Sequence, residues 1–560
     1  MGNLFTSCSR IPALTLYDVF LEKLENIDAR DSRYLEEIQE LKNWIKENLD
    51  NVYQILSKFD PDGKPLKDGI ITATTYSDLY KWAMSPSIRI IQKSKLFKHS
   101  NINVKFSVDL RNQKERDVLE VIMNDPESRA LFLKNLQELA NRKFDVSMFK
   151  DIVKTKNLSL DKESIENICG TEENPRSLAD EIITKDVPYE DNGKVVINIY
   201  KAHDKKLRQE RYYIQATGPW HRVTWLETTL MQCVYETLLR HDLAVKDISY
   251  VEWLVDFLLR CQKSVKVCNA KTNIKGYLFA GRRVGSYPSL LLQHLYLQTN
   301  YKYFGGSSSV DSCFFFRNNL TGIKFIIIVG THAHELQMVL SSLLSEFDDR
   351  ANRFISLVIA HVVFFMTIKD DDIKSRKIVI LPDTLGTEYF MHIASNLTIK
   401  IDGDDVPFLD IISGVRQDSG LTSECPKIVY KYMKDRIVFF LASEIDTCLS
   451  IEELEELYNS FGAGGFFGDS ERAHDPSKSS ISMAVKAVCV YLGTKAIDIR
   501  PIKTGDTTDG GKFSIDTSLT EEEIDNHKIR LARLRDTSTE TEEMIRNIQL
   551  VFSECLSKFF

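Results

Sequence analysis

Residues Phe325 to Glu335 read FIIIVGTHAHE, and this stretch decides how most of the chain is interpreted. A run of five β-forming apolar residues ends at a glycine, and a polar segment then leads into a helix-like pattern. The same unit recurs along the chain, so that strands and helices alternate over about 190 residues. Such alternation predicts a parallel sheet with right-handed crossover helices.

Seven apolar runs of this kind are predicted as strands, and helix-like segments lie between them. The runs are Tyr277–Phe279, Tyr303–Gly305, Phe325–Val329, Lys377–Leu381, Phe408–Ile412, Arg436–Leu441 and Gly464–Phe467. The helix-like segments are Tyr287–Gln298, Val310–Asn318, Glu335–Glu346, Leu385–Ala394, Pro426–Lys434 and Ser450–Asn459. Seven units favour a closed or nearly closed α/β barrel, and an open doubly wound sheet is the alternative.

The regions on either side of the repeating units follow different patterns. Residues 1–70 carry an amphipathic helical stripe, which fits a helical hairpin packed on the body or a docking surface for a partner. Residues 71–270 mix strands with helices and include a charged insertion near 150–215, and residues 511–560 contain one or two further helices. The predicted fold is therefore an irregular α/β barrel over 271–510, an α+β domain before it, and added helices at both ends.

Composition restricts the functional class. The chain has 560 residues, a formal net charge of −8 and 43% hydrophobic residues. An acidic protein of this kind lacks the basic field that binding to nucleic acid requires. Its ten Cys form no CxxC pair, which is typical of free thiols in a reduced, cytoplasmic compartment. The longest apolar run, Phe354–Ile368, is shorter than the roughly 20 residues that a membrane-spanning helix needs.

The N-terminus carries a lipidation pattern. The chain begins MGNLFT, which fits myristoylation at Gly2, and Cys8 lies where a second acyl chain could be attached. One myristoyl group binds a membrane only weakly, so association with its cytoplasmic face would need the second group. A free polar tail is the alternative.

Polar residues and glycines follow almost every predicted strand at its C-terminal end. They include Arg282, Arg283, Ser307, Ser308, Thr331, His334, Glu335, Asp383, Arg416, Asp418, Ser419, Gly420, Ser443, Glu444, Asp446, Gly462, Gly464 and Gly465. Barrel enzymes build their active sites from the loops at this edge. Arginines, hydroxyls and glycine-opened amides suit phosphate, and carboxylates suit magnesium or ribose hydroxyls. The set predicts a site for a phosphorylated sugar or nucleotide, although each residue alone also fits a turn, a solvated surface or a helix cap.

Nine short motifs follow one another along the chain: YSDLYKWAM at 76–84, GPW at 218–220, FAGRR at 279–283, FGGSSS at 304–309, GTHAHE at 330–335, GVRQDSG at 414–420, SEID at 443–446, FGAGG at 461–465 and Val485-Lys486. Taken in this order, they resemble the motifs of the nicotinate phosphoribosyltransferases, a family of type II phosphoribosyltransferases. The resemblance implies transfer of ribose 5-phosphate from phosphoribosyl pyrophosphate to nicotinate in NAD salvage. It also implies Mg²⁺, a homodimer and, in ATP-coupled members, a phosphorylated histidine.

The resemblance assigns a role to each matching residue. Catalytic roles fall on His334, Glu335, Asp383 and Asp418. Substrate contacts fall on Asp78, Tyr80, Lys81, Phe279, Arg282, Arg283, Ser307, Ser308, Thr331, Arg416, Ser419 and Gly420. Phosphate contacts fall on Ser443, Glu444, Asp446, Gly462, Gly464, Gly465 and Lys486.

The chain departs from the family pattern beside the sugar and the pyrophosphate. Leu421 stands where the family has Asp, and Gly465 stands where it has Thr. Ser308 occupies the position at which nicotinamide-specific relatives carry an acidic residue, so the pattern favours nicotinate. The departures and the N-terminal extension leave a second hypothesis open, a catalytically inactive, membrane-anchored structural protein that retains the fold.

Overall fold

The described regular elements of the computed structural model lie between residues 35 and 559. The structure describes residues 22, 35–56, 88–89, 91–97, 101–110, 112–141, 143–155, 161–184, 193–204, 207–224, 226–238 in part, 249–271, 275–279, 287–307, 334–347, 359, 379–382, 387–401, 403–412, 414–416, 424–433, 439–444, 464–467, 483–499 and 538–559. Its elements form a mixed α/β structure with two six-stranded sheets and a small hairpin.

The strands and helices are numbered in chain order. The strands are β1 (Ile102–Leu110), β2 (Glu181–Ile183), β3 (Val196–Asp204), β4 (Gln209–Pro219), β5 (Gly276–Leu278), β6 (Phe304–Ser307), β7 (Val379–Ile380), β8 (Thr398–Ile401), β9 (Asp404–Pro407), β10 (Gly414–Arg416), β11 (Phe439–Glu444), β12 (Gly464–Phe467), β13 (Met483–Leu492) and β14 (Lys495–Asp498). The helices are α1 (Leu35–Glu47), α2 (Leu49–Leu56), α3 (Gln113–Asn124), α4 (Pro126–Ala140), α5 (Val146–Thr155), α6 (Lys162–Cys169), α7 (Trp220–Val223), α8 (Ser249–Lys271), α9 (Tyr287–Asn300), α10 (His334–Phe347), α11 (Thr387–Ala394), α12 (Glu424–Met433) and α13 (Ser538–Phe559).

The first sheet is mainly antiparallel and has the strand order β14-β13-β1-β4-β3-β2. Its central strand, β1, alternates apolar and polar residues, which predicts one solvated face. Both faces are nevertheless covered, and Lys105 is the one position of β1 that is half-buried rather than buried. The buried Asp109 is compensated by Arg211 of β4, whose Nη1 lies 3.5 Å from Oδ1 of Asp109.

Side-chain caps fix where the helices beside this sheet begin. The side chain of Asn112 accepts a hydrogen bond from the Lys114 amide (2.8 Å) at the start of α3. Asp125 accepts one from the Ser128 amide (2.8 Å), and Pro126 supplies the first residue of α4. The charged segment near 150–215 supplies β2, β3 and most of β4, so it is part of this sheet.

The second sheet is parallel and has the strand order β6-β5-β12-β11-β10-β7. Its described strands are short, from the two residues of β7 to the six of β11. β5 comes first in the chain and pairs with β12, which comes last. Over the described residues the sheet is open, with β6 and β7 as its edges.

Five of the seven predicted strands are confirmed, as β5, β6, β7, β11 and β12, and one is wrong. The run Phe408–Ile412 is not a strand: Phe408–Ile411 forms a 3-10 helix, and β10 follows it. Pro407 precedes this turn, and Phe408 and Leu409 are buried, so the apolar run reflects burial rather than strand periodicity. The run at 325–329 lies outside the described residues, as do the predicted helices at 310–318 and 450–459.

The N-terminal helices pack on the body through buried apolar residues, among them Trp44. Trp44 of α1 donates from Nε1 to Thr299 Oγ1 (2.9 Å), and its ring meets that of Tyr296 edge-on at 5.0 Å. Both partners lie on α9, and α1 also contacts α8. This apolar face of the extension is therefore covered by the chain itself. One cluster of buried apolar residues runs from α1 to α13 and through both sheets.

Candidate functional site

The C-terminal edge of the parallel sheet brings Arg416 and Phe279 together. Arg416 is the last residue of β10, and Phe279 directly follows β5. The guanidinium carbon of Arg416 lies 5.5 Å from the centre of the Phe279 ring, within cation–π range. Two strands separate β5 from β10, which would place their ends about 14 Å apart in a flat sheet. The long side chain of Arg416 therefore reaches past the ends of the two strands between them.

Arg416 and Phe279 form a surface suited to a planar anion. The Arg416 residue is only 8% exposed, so its charge is held at the sheet edge rather than in solvent. A guanidinium offers five donors in a planar fork that matches a carboxylate or a phosphate. The adjacent ring adds a flat apolar face. The pair can bind an aromatic carboxylate or a phosphorylated ligand.

Close contacts between β5 and β6 support this edge. Ser307 is fully buried and donates from Oγ to the Leu278 carbonyl (3.2 Å). A methyl group added at Gly305 would lie 2.2 Å from Cε1 of Tyr277, so only glycine lets that ring pack against β6. Burial also raises the pKa of Tyr277. Ser307, predicted as a substrate contact, thus has a hydroxyl that links two strands.

Glu335 lies at the start of α10 and contacts the other sheet. Its buried carboxylate accepts one hydrogen bond from Trp220 Nε1 at Oε1 (2.5 Å). Oε2 accepts a second from Thr224 Oγ1 (3.0 Å). Trp220 begins α7 directly after β4, so Glu335 connects α10 of the parallel unit to the end of the antiparallel sheet.

For the remaining described residues of the predicted site, strand pairing and helix bounds give the position of the backbone. Ser443 lies opposite Gly465, and Glu444 lies one position further along β11. Gly464 opens β12, so these four residues lie together at the end of β11 and the start of β12. His334 is the first residue of α10.

Lys486 lies in a different place from the other predicted phosphate contacts. It belongs to β13 and is opposite Ser107 of β1, within the antiparallel sheet. β13 and β14 are thus part of that sheet, although their residues fall within the region 271–510 in sequence.

The chain matches solved structures although it matches no sequence family. No protein-family model and no curated protein sequence matches it. The structure of nicotinate phosphoribosyltransferase from Porphyromonas gingivalis aligns at 14% identity and TM-score 0.52, over 82% of this chain and 99% of the other. A Saccharomyces cerevisiae protein assigned to the same activity aligns at 16% identity and TM-score 0.51, over 82% and 97%. The Vibrio cholerae enzyme aligns at 14% identity and TM-score 0.54, over 84% and 98%.

The chain has the nicotinate phosphoribosyltransferase fold. At 14–16% identity the likeness lies in the arrangement of elements rather than in the side chains. It spans nearly the full length of each solved structure, so both sheets belong to the shared architecture.

The other predicted site residues lie outside the described residues of this nicotinate phosphoribosyltransferase fold. They are Gly2, Cys8, Asp78, Tyr80, Lys81, Arg282, Arg283, Ser308, Thr331, Asp383, Asp418, Ser419, Gly420, Asp446 and Gly462. Of the predicted side chains that are described, Phe279, Ser307 and Arg416 gather at one edge. Glu335 lies on α10, and Lys486 lies on β13 of the antiparallel sheet.

Sequence reasoning missed three residues that organise the start of α10. Trp220 lies in the GPW motif, but it was not predicted as a site residue. Thr224 and Gln337 carry no motif signal, because hydroxyl and amide side chains are common at any helix end. Gln337 is buried and donates from Nε2 to the Leu381 carbonyl (3.1 Å), just beyond β7.

The described residues show neither a metal-binding group nor a membrane-spanning helix. No three His, Cys, Asp or Glu side chains come together there as a metal-binding group. No described helix is long and apolar enough to span a bilayer. Of the long apolar run at 354–368, the structure describes Ile359, which is helical and fully buried.

Proposed function

We propose that this protein is a nicotinate phosphoribosyltransferase of divergent sequence. The proposal rests on the pairing of Arg416 with Phe279 at the C-terminal edge of a parallel sheet that has this family's fold. In the proposed complex the pyridine ring stacks on Phe279. The carboxylate of nicotinate accepts hydrogen bonds from the guanidinium of Arg416.

The reaction needs positioning and charge stabilisation rather than an elaborate set of catalytic groups. The bond from C1 of the ribose to the pyrophosphate oxygen breaks, and its electron pair leaves with pyrophosphate. The pyridine nitrogen then forms the new bond to C1, which gives nicotinate mononucleotide. Positive charge develops on the sugar ring in between, so aligned ligands and nearby anionic groups lower the barrier. Mg²⁺ would enter with the phosphates of phosphoribosyl pyrophosphate.

We further propose that the parallel sheet closes into a barrel. Among the described strands of this sheet, consecutive ones in the chain are adjacent except for β6 and β7, and the last strand, β12, returns to pair with the first, β5. The open gap lies between β6 and β7, and the apolar run at 325–329 falls between them in sequence. The sheet's hydrogen-bonding rows are also staggered, since Arg416 at the end of β10 aligns with Leu441 and then with Gly464 at the start of β12. Such stagger is required for closure.

ATP coupling is proposed through His334. An imidazole nitrogen of His334 would attack the γ-phosphorus of ATP, ADP would leave, and water would later hydrolyse the phosphohistidine. The position of His334 at the first residue of α10 suits this role, because the amides of a helix N-terminus favour phosphate.

The test is formation of nicotinate mononucleotide by the purified full chain with Mg²⁺, phosphoribosyl pyrophosphate and nicotinate, with and without ATP. We expect product from the wild type and at least about tenfold lower kcat/KM in Arg416→Ala, because a hydrogen bond to a charged group contributes roughly 1.5–3 kcal/mol. Arg211→Lys, in the antiparallel sheet, is the matched control. Absence of product from folded wild-type protein would refute the proposal and favour the inactive structural protein.

A further inference from the structure

Two residues hold the first turn of α10 from opposite sides. Glu335 and Gln337 are two positions apart, which places their side chains about 200° apart around a helix. Glu335 reaches Trp220 and Thr224 beside the antiparallel sheet. Gln337 reaches the Leu381 carbonyl beyond β7 of the parallel sheet. The helix start is therefore fixed against both sheets at once.

The contact on the antiparallel side is fully buried. Trp220 is 0% exposed and Thr224 is 2% exposed, while Glu335 is 6% exposed. Each carboxylate oxygen of Glu335 takes one hydrogen bond, at 2.5 Å from the indole and 3.0 Å from the hydroxyl. Hydrogen bonds to an ionised acceptor in a buried site are stronger and more directional than neutral ones. A carboxylate held in this way has little freedom to act as a proton acceptor for a substrate.

We propose that Glu335 is a positioning residue that fixes the first turn of α10, and with it the backbone of His334, against α7. Glu335 would thus contribute by fixing the position of His334 and not by contacting the substrate. Trp220 and Thr224 complete this positioning group, because they donate the two hydrogen bonds that hold Glu335. The catalytic consequence rests on the proposed function, because a displacement of about 1 Å at a reacting group can lower the rate about a hundredfold.

The experiment compares three substitutions that keep the shape of the site. Trp220→Phe removes the indole donor, and Thr224→Val removes the hydroxyl. Glu335→Gln is the conservative variant, since its Oε1 can still accept from Trp220 and its amide can donate to Thr224 Oγ1. Thr299→Val on α9 is the matched control, because the hydroxyl that it removes accepts a hydrogen bond from Trp44 of α1.

Amide hydrogen exchange over residues 334–340 is the first readout, and it does not require activity. We expect Trp220→Phe and Thr224→Val to raise exchange there by about tenfold, with α9 unchanged. Glu335→Gln and Thr299→Val should stay close to the wild type. Unchanged exchange in both Trp220→Phe and Thr224→Val would overturn the inference, whether or not the protein is active.

Steady-state kinetics are the second readout. We expect Trp220→Phe and Thr224→Val to lower kcat by about tenfold with KM for nicotinate unchanged, and Glu335→Gln to retain most of kcat. Raised exchange with an unchanged kcat in an active protein would overturn the positioning role. An inactive wild type would instead refute the proposed function, and exchange alone would then decide whether Glu335 holds the helix.

Discussion

The two sheets of this protein differ in strand length and in the surroundings of their buried arginines. The antiparallel sheet has long strands, such as the eleven residues of β4, with continuous pairing to its neighbours. The parallel sheet has short strands, and the described side chains suited to binding lie at their C-terminal ends. Both sheets contain a buried arginine. Arg211 is satisfied by carboxylates, whereas Arg416 lies against an aromatic ring.

Arg211 is held by several groups of its own sheet. Nε of Arg211 lies 2.6 Å from Oδ2 of Asp204, and Tyr213 donates its hydroxyl to the same oxygen at 3.3 Å. The guanidinium also lies 4.5 Å from the centre of the Tyr213 ring. A buried charge matched in this way fixes a local conformation. Arg416 lies where ligands of α/β enzymes bind, and it is the arginine that we assign to the substrate.

The largest effect is expected from Arg211→Ala. Loss of the guanidinium leaves Asp109 and Asp204 buried without their cation, so the free energy of unfolding should fall by about 3–5 kcal/mol. Urea denaturation measures the change. Lys201→Ala, which breaks an exposed pair with Glu120, is the control and should cost no more than about 1 kcal/mol. Equal losses in the two variants would contradict the structural role of Arg211.

A second effect concerns one buried histidine beside each sheet. Burial lowers the pKa of His294 on α9 to about 3, and burial together with Arg89, Arg222 and Arg176 lowers the pKa of His221 on α7 to about 3. Both histidines stay neutral in the folded protein, while the unfolded chain binds protons below about pH 6.5. Each histidine's stabilising effect is therefore complete above pH 6.5 and is lost as the pH falls towards 3.

The expected loss is about 1.4 kcal/mol per histidine for each pH unit below about 6.5. Unfolding free energies between pH 7 and pH 5 should show it, and His294→Gln or His221→Gln should each flatten the slope. A slope that both variants leave unchanged would show that the histidines are protonated in the folded state.

A third test contrasts two glycines. Gly305→Ala places a methyl group against the Tyr277 ring in the parallel sheet and should destabilise the protein by about 1–3 kcal/mol. Gly493 turns the chain between β13 and β14 with φ of 59° and open space around it, so Gly493→Ala should cost about 0.5–1 kcal/mol. Thermal unfolding compares the two. Partial recovery of Gly305→Ala by Tyr277→Leu would identify the ring contact as the cause, whereas no recovery would exclude it.

The smallest effect is expected at the N-terminal extension. Trp44→Phe keeps the ring packing on Tyr296 but removes the hydrogen bond to Thr299, so it should cost about 0.5–1.5 kcal/mol. Thr299→Val should cost a similar amount, and the double variant should cost little more than either single one. Strictly additive losses in urea denaturation would show that the two side chains do not interact.

Local sequence patterns predicted much of the parallel sheet. β12 has the bounds of its apolar run, and α9, α10, α11 and α12 lie where the helix-like segments predicted them. These elements combine a short apolar run with glycine or polar ends, a signal that is carried within a few residues. The Phe408–Ile412 run failed because a proline-initiated turn can be as apolar as a strand when tertiary packing buries it.

The candidate site was predictable to a lesser degree. Arg416 and Phe279 carry motif signals, and their convergence follows from parallel strands ending at one edge. The hydrogen-bond partners of Glu335 could not be predicted from the sequence, because Trp220 and Thr224 are more than 100 residues away in the chain. Lys486 likewise has a motif signal but lies on an antiparallel strand.

The sequence by itself determined the alternation of strands and helices, the chemistry collected at the strand ends and the family that this order of motifs resembles. Only the tertiary structure decided that β13 and β14 join the sheet of β1, that Glu335 is held by Trp220, and that Arg211 is paired with buried carboxylates. The physical reason is that periodicity and turn chemistry act between neighbouring residues, whereas burial and pairing of charge depend on which distant segments pack together.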